Sequence, residues 1–261
     1  SIFCLILPFI TYSFFEEPLG FIISYGIAYL ISAVTGFYFF LKKNKSEVNP
    51  NKLKINDWFK YGAPISIWLS LQASIPFIER IFIQVNLGSE FVGQFTALSE
   101  LINRGFSLLL FPITLSVQPL IIRYWNQKNK KKALKLWKET ILLMGYLFLL
   151  VTLLFYFFYD YIIIVIKNII NLNIQSLLLI ISLISISAFI WQVNIILHKP
   201  LELKKKTINM VYILIFSLLT IIVTNYFTIF EFGIIGTAVA SFFGALIYGF
   251  CNLVYGLKLF Y

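Results

Sequence analysis

Thr207 to Phe227 reads TINMVYILIFSLLTIIVTNYF, twenty-one residues without one Asp, Glu, Lys or Arg. As a helix this stretch is about 31 Å long, the thickness of the hydrocarbon core of a bilayer. Lys204, Lys205 and Lys206 precede it, and past Glu231 a second apolar run, residues 233–257, follows at once. Two such runs back to back read as a membrane hairpin. Working outward, the same criterion gives candidate spans at 2–15, 19–41, 61–86, 91–122, 140–159 and 174–197, which with 207–227 and 233–257 make eight. The first is short because the chain begins inside it, and the sequence reads as a truncated piece of a longer protein. The fourth is long enough to be tilted or broken. Tyr161 to Leu172 is too short to cross and carries Lys167, so it reads as an elbow or an interfacial helix.

Composition agrees with this reading. Of 261 residues 60% are hydrophobic, 18% aromatic and only 12% charged, too few polar side chains to coat a water-soluble globule. A soluble enzyme is excluded. Cys4 and Cys251 each sit in an apolar run, which provides neither a disulfide framework nor a metal cluster. The excess of 21 Lys+Arg over 11 Asp+Glu would suggest a polyanion in a soluble protein. Here it is a topology signal, and nucleic acid falls away as a partner.

The basic residues fall on alternate connections. Lys42, Lys43, Lys45, Lys52, Lys54 and Lys60 lie in the first, Arg123, Lys128, Lys130, Lys131, Lys132, Lys135 and Lys138 in the second, Lys199 and Lys204 to Lys206 in the third, and Lys258 follows the last span. The other connections hold one base, Lys167, beside Glu16, Glu17, Glu90, Asp160 and Glu231. By the positive-inside rule both ends of the chain are expected in the cytoplasm. The 42–57 connection, KKNKSEVNPNKLKIND, is the most polar and turn-prone stretch and marks the boundary between two structural units. In 126–138, NQKNKKKALKLWK, Ala133, Leu136, Trp137 and then Ile141 share one side, the pattern of a helix lying on an anionic inner leaflet.

Four charges fall inside spans: Glu79, Arg80, Glu100 and Arg104. Charges there face a bundle interior or a water-filled cavity. Counting from the turn near Gly88, Arg80 lies level with Glu100 on the antiparallel neighbour, and Glu100 precedes Arg104 by four residues, the favourable order for a helix pair. Arg104 is near mid-membrane, 13 residues or about 20 Å past Phe91. These groups either line a transport path or close a structural salt-bridge cluster in a low-dielectric site. Pro64, Pro76, Pro112 and Pro119 interrupt backbone bonding where kinks could gate. Gly236, Ala240 and Gly244 recur every four residues, which allows close helix packing. His198, the sole histidine, sits at a span end beside Lys199 and reads as neither catalytic nor a proton relay.

Several motifs carry a resemblance. Trp58 through Tyr61-Gly62-Ala63-Pro64, then Glu79-Arg80, Gly88-Ser89-Glu90-Phe91-Val92-Gly93-Gln94-Phe95, Pro119-Leu120-Ile121, and Gly233-Ile234-Ile235-Gly236-Thr237-Ala238-Val239-Ala240 occur in order across residues 58–257. This half resembles the second half of bacterial polysaccharide-biosynthesis (O-antigen-type) flippases of the multidrug/oligosaccharidyl-lipid/polysaccharide exporter superfamily. Phe95 stands where that family usually has Tyr, and Glu79 where it usually has Asp.

The resemblance implies an all-α, MATE-like two-lobe transporter of the bacterial inner membrane. Residues 1–41 would be the last two helices of an incomplete first lobe, 42–57 a cytoplasmic linker, and 58–261 a complete six-helix second lobe. It further implies no enzyme activity and no cofactor. The expected cargo is an undecaprenyl-pyrophosphate-linked oligosaccharide moved by alternating access, with H⁺ or Na⁺ as a possible coupling ion and membrane lipids as surroundings. Arg80 and Arg104 would attract the pyrophosphate and acidic sugars, Glu79 and Glu100 would keep them hydrated and oriented, and Arg123 would take the first phosphate contact at the cytoplasmic mouth. Same-fold carriers of peptidoglycan precursor or of cationic drugs are the alternative, and a membrane glycan polymerase or acyltransferase stands further off.

Overall fold

The computed structural model describes residues 26–28, 30–36, 38–39, 55–170 and 177–260. The chain divides into two compact units, Ser1–Ile55 and Asn56–Tyr261. In the first, the described residues are helical and lie within the expected 19–41 span. Ser32 and Thr35 fold their hydroxyls back onto the carbonyls of Ala28 and Ile31 at 2.9 and 2.8 Å, which hides both polar groups within the apolar helix. The expected 2–15 span and residues 42–54 of the linker lie outside the described residues.

The second unit is built on α1 (Ile55–Asn86), α2 (Ser89–Asn126), α3 (Lys130–Phe157), α4 (Tyr159–Ile170), α5 (Leu177–Leu197), α6 (Lys199–Leu203), α7 (Thr207–Phe232) and α8 (Ile234–Phe260). All described segments are helix and turn, as expected for an all-α, multi-pass membrane protein. Five stretches are both long and apolar enough to cross a bilayer: Ser89–Asn126, Lys130–Phe157, Leu177–Leu203, Thr207–Phe232 and Ile234–Lys258. α1 has the length, but Ser66, Ser70, Ser74, Gln72 and two prolines dilute its apolar content.

Short turns fix the antiparallel order. Gly88 (φ 98°) joins α1 to α2 and Gly233 (φ 56°) joins α7 to α8, both in a backbone region that only glycine enters without strain. These turns lie at one end of the unit. The α2–α3 turn and the α6 segment, with their lysines, lie at the other, called here the lysine-rich end.

One expectation is narrowed and one is corrected. The 91–122 run is neither broken nor split: α2 is one helix of 38 residues that carries Pro112 and Pro119 inside it. Nor does 126–138 lie on a leaflet as a separate helix. Lys130 opens α3, which continues unbroken into the span, and Asn129 caps it by accepting from the Lys132 amide at 3.2 Å. The apolar side of its first turns faces protein, because Ala133 and Trp137 are buried and the Trp137 indole N–H donates to the Ile196 carbonyl at 2.8 Å. A buried Trp needs a partner for its N–H, and the Ile196 carbonyl supplies it.

α8 packs most extensively on α7 and α5, and α2 on α5 and α3. The small-residue spacing explains the first contact. A Cβ on Gly236 would come within 2.5 Å of the Thr228 carbonyl, and one on Gly244 within 2.3 Å of Ile221. At that separation the Thr228 hydroxyl, bonded to the Thr224 carbonyl at 2.7 Å, also reaches the Gly236 carbonyl at 3.1 Å, and Ser217 Oγ donates to the Gly244 carbonyl (2.7 Å). Close approach and interhelical hydrogen bonds are what hold spans together where lipid supplies little hydrophobic drive.

Candidate functional site

The intramembrane charges of α1 and α2 sort onto different faces. Arg80 Nη2 is 3.5 Å from Glu100 Oε1, and Arg104 Nε is 3.4 Å from Glu100 Oε2, so one carboxylate bridges two guanidinium groups across the hairpin. Phe77, one turn before Arg80, lies 5.7 Å beneath its guanidinium. The ion pairs expected from the spacing around Gly88 are therefore formed. They are not enclosed, since the side chains of Arg80, Glu100 and Arg104 are 33%, 47% and 82% exposed. Arg104 stands 15 residues, about 22 Å, into α2. A charge at that depth faces a bundle interior or a water-filled cavity rather than acyl chains.

Glu79 does not join them. Successive helix residues are turned about 100° apart, and Glu79 points into the interior, buried, where Ser241 Oγ of α8 donates to Oε1 of its carboxylate. Glu79 forms no ion pair with the arginines among the described residues, although Arg80, next to it on α1, still acts on it electrostatically. Arg123 is also separate. It lies exposed in the last turn of α2, 19 residues or about 28 Å beyond Arg104, beside Gln118, Pro119, Asn126 and Gln127.

Around Glu79 the structure collects polar groups that the sequence reading passed over. Ile75 and Ile83 flank Glu79 on α1, and Ile221 and Ile229 flank Asn225 on α7. Ile75 and Ile221 belong to one apolar cluster, and Ile83 and Ile229 to the next. Glu79 and Asn225 thus occupy the same level between two apolar layers. The Thr237 carbonyl, one turn away and 3.1 Å from Ser241 Oγ, shares that single proton as the more distant acceptor. Both amide atoms of Asn225 and the Thr237 hydroxyl are buried without a hydrogen-bond partner among the described residues. The one available sequence signal was the i, i+4 spacing of Thr237 and Ser241 in an otherwise apolar helix.

No protein-family model matches the chain, and no curated protein does. Solved structures do. A MATE transporter in the bent conformation superposes with a TM-score of 0.72 at 12% identity, over 99% of this chain and 60% of that one. The chain has the MATE fold. An outward-facing multidrug resistance MATE transporter of the MOP superfamily matches with a TM-score of 0.69 at 11% identity (99% and 61% coverage), and a MATE bound to MaL6 with 0.63 at 12% (98% and 60%). The chain therefore spans about 60% of the length of these MATE proteins. Within the MATE fold as present here, the arginine face on α1 and α2 and the Glu79 site between α1, α7 and α8 are distinct.

Proposed function

We propose that the chain is part of an inner-membrane, alternating-access flippase for undecaprenyl-pyrophosphate-linked oligosaccharide, with both ends in the cytoplasm and no covalent chemistry. In this reading residues 1–41 end a first lobe, 42–57 link the lobes, and 58–261 form the second. Rocking of one lobe against the other requires both. The observation that carries the reading is Arg104, a guanidinium 82% exposed on a membrane-spanning helix and tied through Glu100 to Arg80. Guanidinium groups hold phosphate oxygens bidentately, so a water-facing pair at this depth suits a passing pyrophosphate. Arg123, on the same helix, would take the headgroup first. Glu79, with Ser241, Thr237 and Asn225 around it, is the place for a coupling H⁺ or Na⁺.

Glu79 also favours a second reading, a cation or drug antiporter of the same fold, because a buried carboxylate suits exchange of cations. The two readings part at Arg104. In a strain whose surface glycan depends on the full-length protein, Arg104→Ala should abolish glycan at unchanged protein abundance, and Arg104→Lys should restore only part of it. Normal glycan in Arg104→Ala rejects the flippase reading.

A further inference from the structure

An anion already occupies the place between the two intramembrane arginines: the carboxylate of Glu100. Its Oε1 is 3.5 Å from Arg80 Nη2 and its Oε2 is 3.4 Å from Arg104 Nε, so one oxygen serves an arginine of α1 and the other an arginine of α2. Both separations exceed the roughly 2.7–2.9 Å of a well-made charge-assisted hydrogen bond. None of the three side chains is buried. Ion pairs that are both long and exposed are weak, so this carboxylate is loosely held.

Carboxylate and phosphate are alternative partners for the same guanidinium fork, because each offers a pair of acceptor oxygens on one atom. A guanidinium carries more N–H donors than a shared carboxylate can accept, so both arginines keep donors free for a further anion. The position that bridges them, however, is filled. A phosphate that is to touch Arg80 and Arg104 together must move the Glu100 carboxylate aside. That uncovers two positive charges where one had been neutralised.

We propose that Glu100 is an internal competitor for the phosphate groups of the cargo and sets how readily the cargo leaves. This rests on the flippase reading above. The pyrophosphate takes the bridging position, Glu100 swings off the arginines on the exposed side of α2, and return of the carboxylate expels the pyrophosphate. No covalent bond forms or breaks. A transport path must bind firmly enough to load and loosely enough to release, and two unopposed guanidinium groups would retain a multiply charged anion. Glu100 thus acts against binding, the reverse of the orienting part that the resemblance implies for it.

The sign of one substitution separates the two roles, since Glu100→Gln keeps the shape and removes the charge. Full-length protein in nanodiscs of zwitterionic lipid is titrated with inorganic pyrophosphate and followed by phosphorus NMR. Glu100→Gln should bind at least about fivefold more tightly than the parent, the effect of removing one charge about 4 Å from an anion even at the dielectric of water. Adding Arg104→Ala to Glu100→Gln should abolish that gain. In cells, Glu100→Gln should make less surface glycan than the parent at equal abundance, because release slows as binding tightens. An orienting Glu100 predicts the opposite sign, weaker pyrophosphate binding in Glu100→Gln. Binding to Glu100→Gln that is absent, weaker than or equal to that of the parent, a gain that survives Arg104→Ala, or undiminished glycan in Glu100→Gln would each overturn the proposal. The flippase reading is decided separately, by glycan in the Arg104→Ala strain, so failure of one is distinguishable from failure of the other.

Discussion

Ser241 of α8 donates its hydroxyl proton to the carboxylate of Glu79 on α1, inside the lobe and away from the arginine face one residue further on. A carboxylate held in that interior by a single hydroxyl, with Asn225 and Thr237 unpartnered at the same level, is poorly compensated. Proteins keep such groups where they have work to do.

The first prediction follows. Glu79→Gln keeps the volume and an oxygen that can accept from Ser241, so abundance and Tm should be unchanged. Export in cells should nevertheless fall by about tenfold or more, equivalent to at least about 1.4 kcal/mol in the transport barrier. Quantified surface glycan at matched protein level is the measurement, and parental export in Glu79→Gln would make Glu79 a packing residue.

A second prediction concerns Glu100. Taken alone, the sequence leaves open a closed, low-dielectric cluster, in which an unpaired arginine would cost about 3 kcal/mol. The three side chains are instead 33% to 82% exposed, and water-facing ion pairs contribute about 1 kcal/mol or less. Glu100→Gln should therefore lower Tm by no more than about 4 °C in a detergent melt. A much larger drop would mean that the face is closed.

That contrast shows what the sequence could and could not tell. The pairing of Arg80, Glu100 and Arg104 was legible because it depends only on local rules, a glycine turn that folds two antiparallel helices against each other and an i, i+4 step. The five long apolar helices were legible for the same reason, since length and composition are local. Exposure of the cluster, burial of Glu79 and the company of Ser241, Asn225 and Thr237 depend on how three helices far apart in sequence are rotated against one another, and composition does not encode that rotation. Trp137 makes the point in reverse: its lysine-flanked setting reads as a leaflet surface, yet the Ile196 carbonyl that captures its N–H lies 59 residues away. The packing of His198 against Trp68 was not legible, because Trp68 comes from a helix far away in sequence.

A third prediction uses the α7–α8 seam. Gly236→Ala would drive a methyl group to 2.5 Å from the Thr228 carbonyl and 2.9 Å from the Ile229 nitrogen, both backbone, so the helices must separate. Gly244→Ala meets the Ile221 side chain, which can turn aside at some cost in packing. Overpacking of this kind costs about 1–3 kcal/mol, with Gly236→Ala at the upper end and Gly244→Ala below it. Gly105→Ala meets nothing within 4 Å and should not lower Tm. Thermal melts of the three variants check the order, and equal Tm values for Gly236→Ala and Gly105→Ala would refute the seam.

The last prediction is orientation. Eighteen of the basic residues lie on one set of connections and Lys167 alone on the other, and such a bias sets which loops stay in the cytoplasm. Glu90 opens α2 beside the Gly88 turn, Lys131 lies in the first turn of α3, and both are exposed at opposite ends of the α2 and α3 pair. Single cysteines at these positions report the two sides directly, provided that the native Cys4 and Cys251 are first replaced by Ala. In intact cells with a permeable outer membrane, Glu90→Cys should react with a membrane-impermeant maleimide and Lys131→Cys should not; after lysis both should react. Because Arg123 shares the end marked by Lys131, the same labelling decides which side loads the proposed cargo. Labelling of Lys131→Cys in intact cells, with Glu90→Cys protected, would invert the topology and remove Arg123 from a cytoplasmic entry.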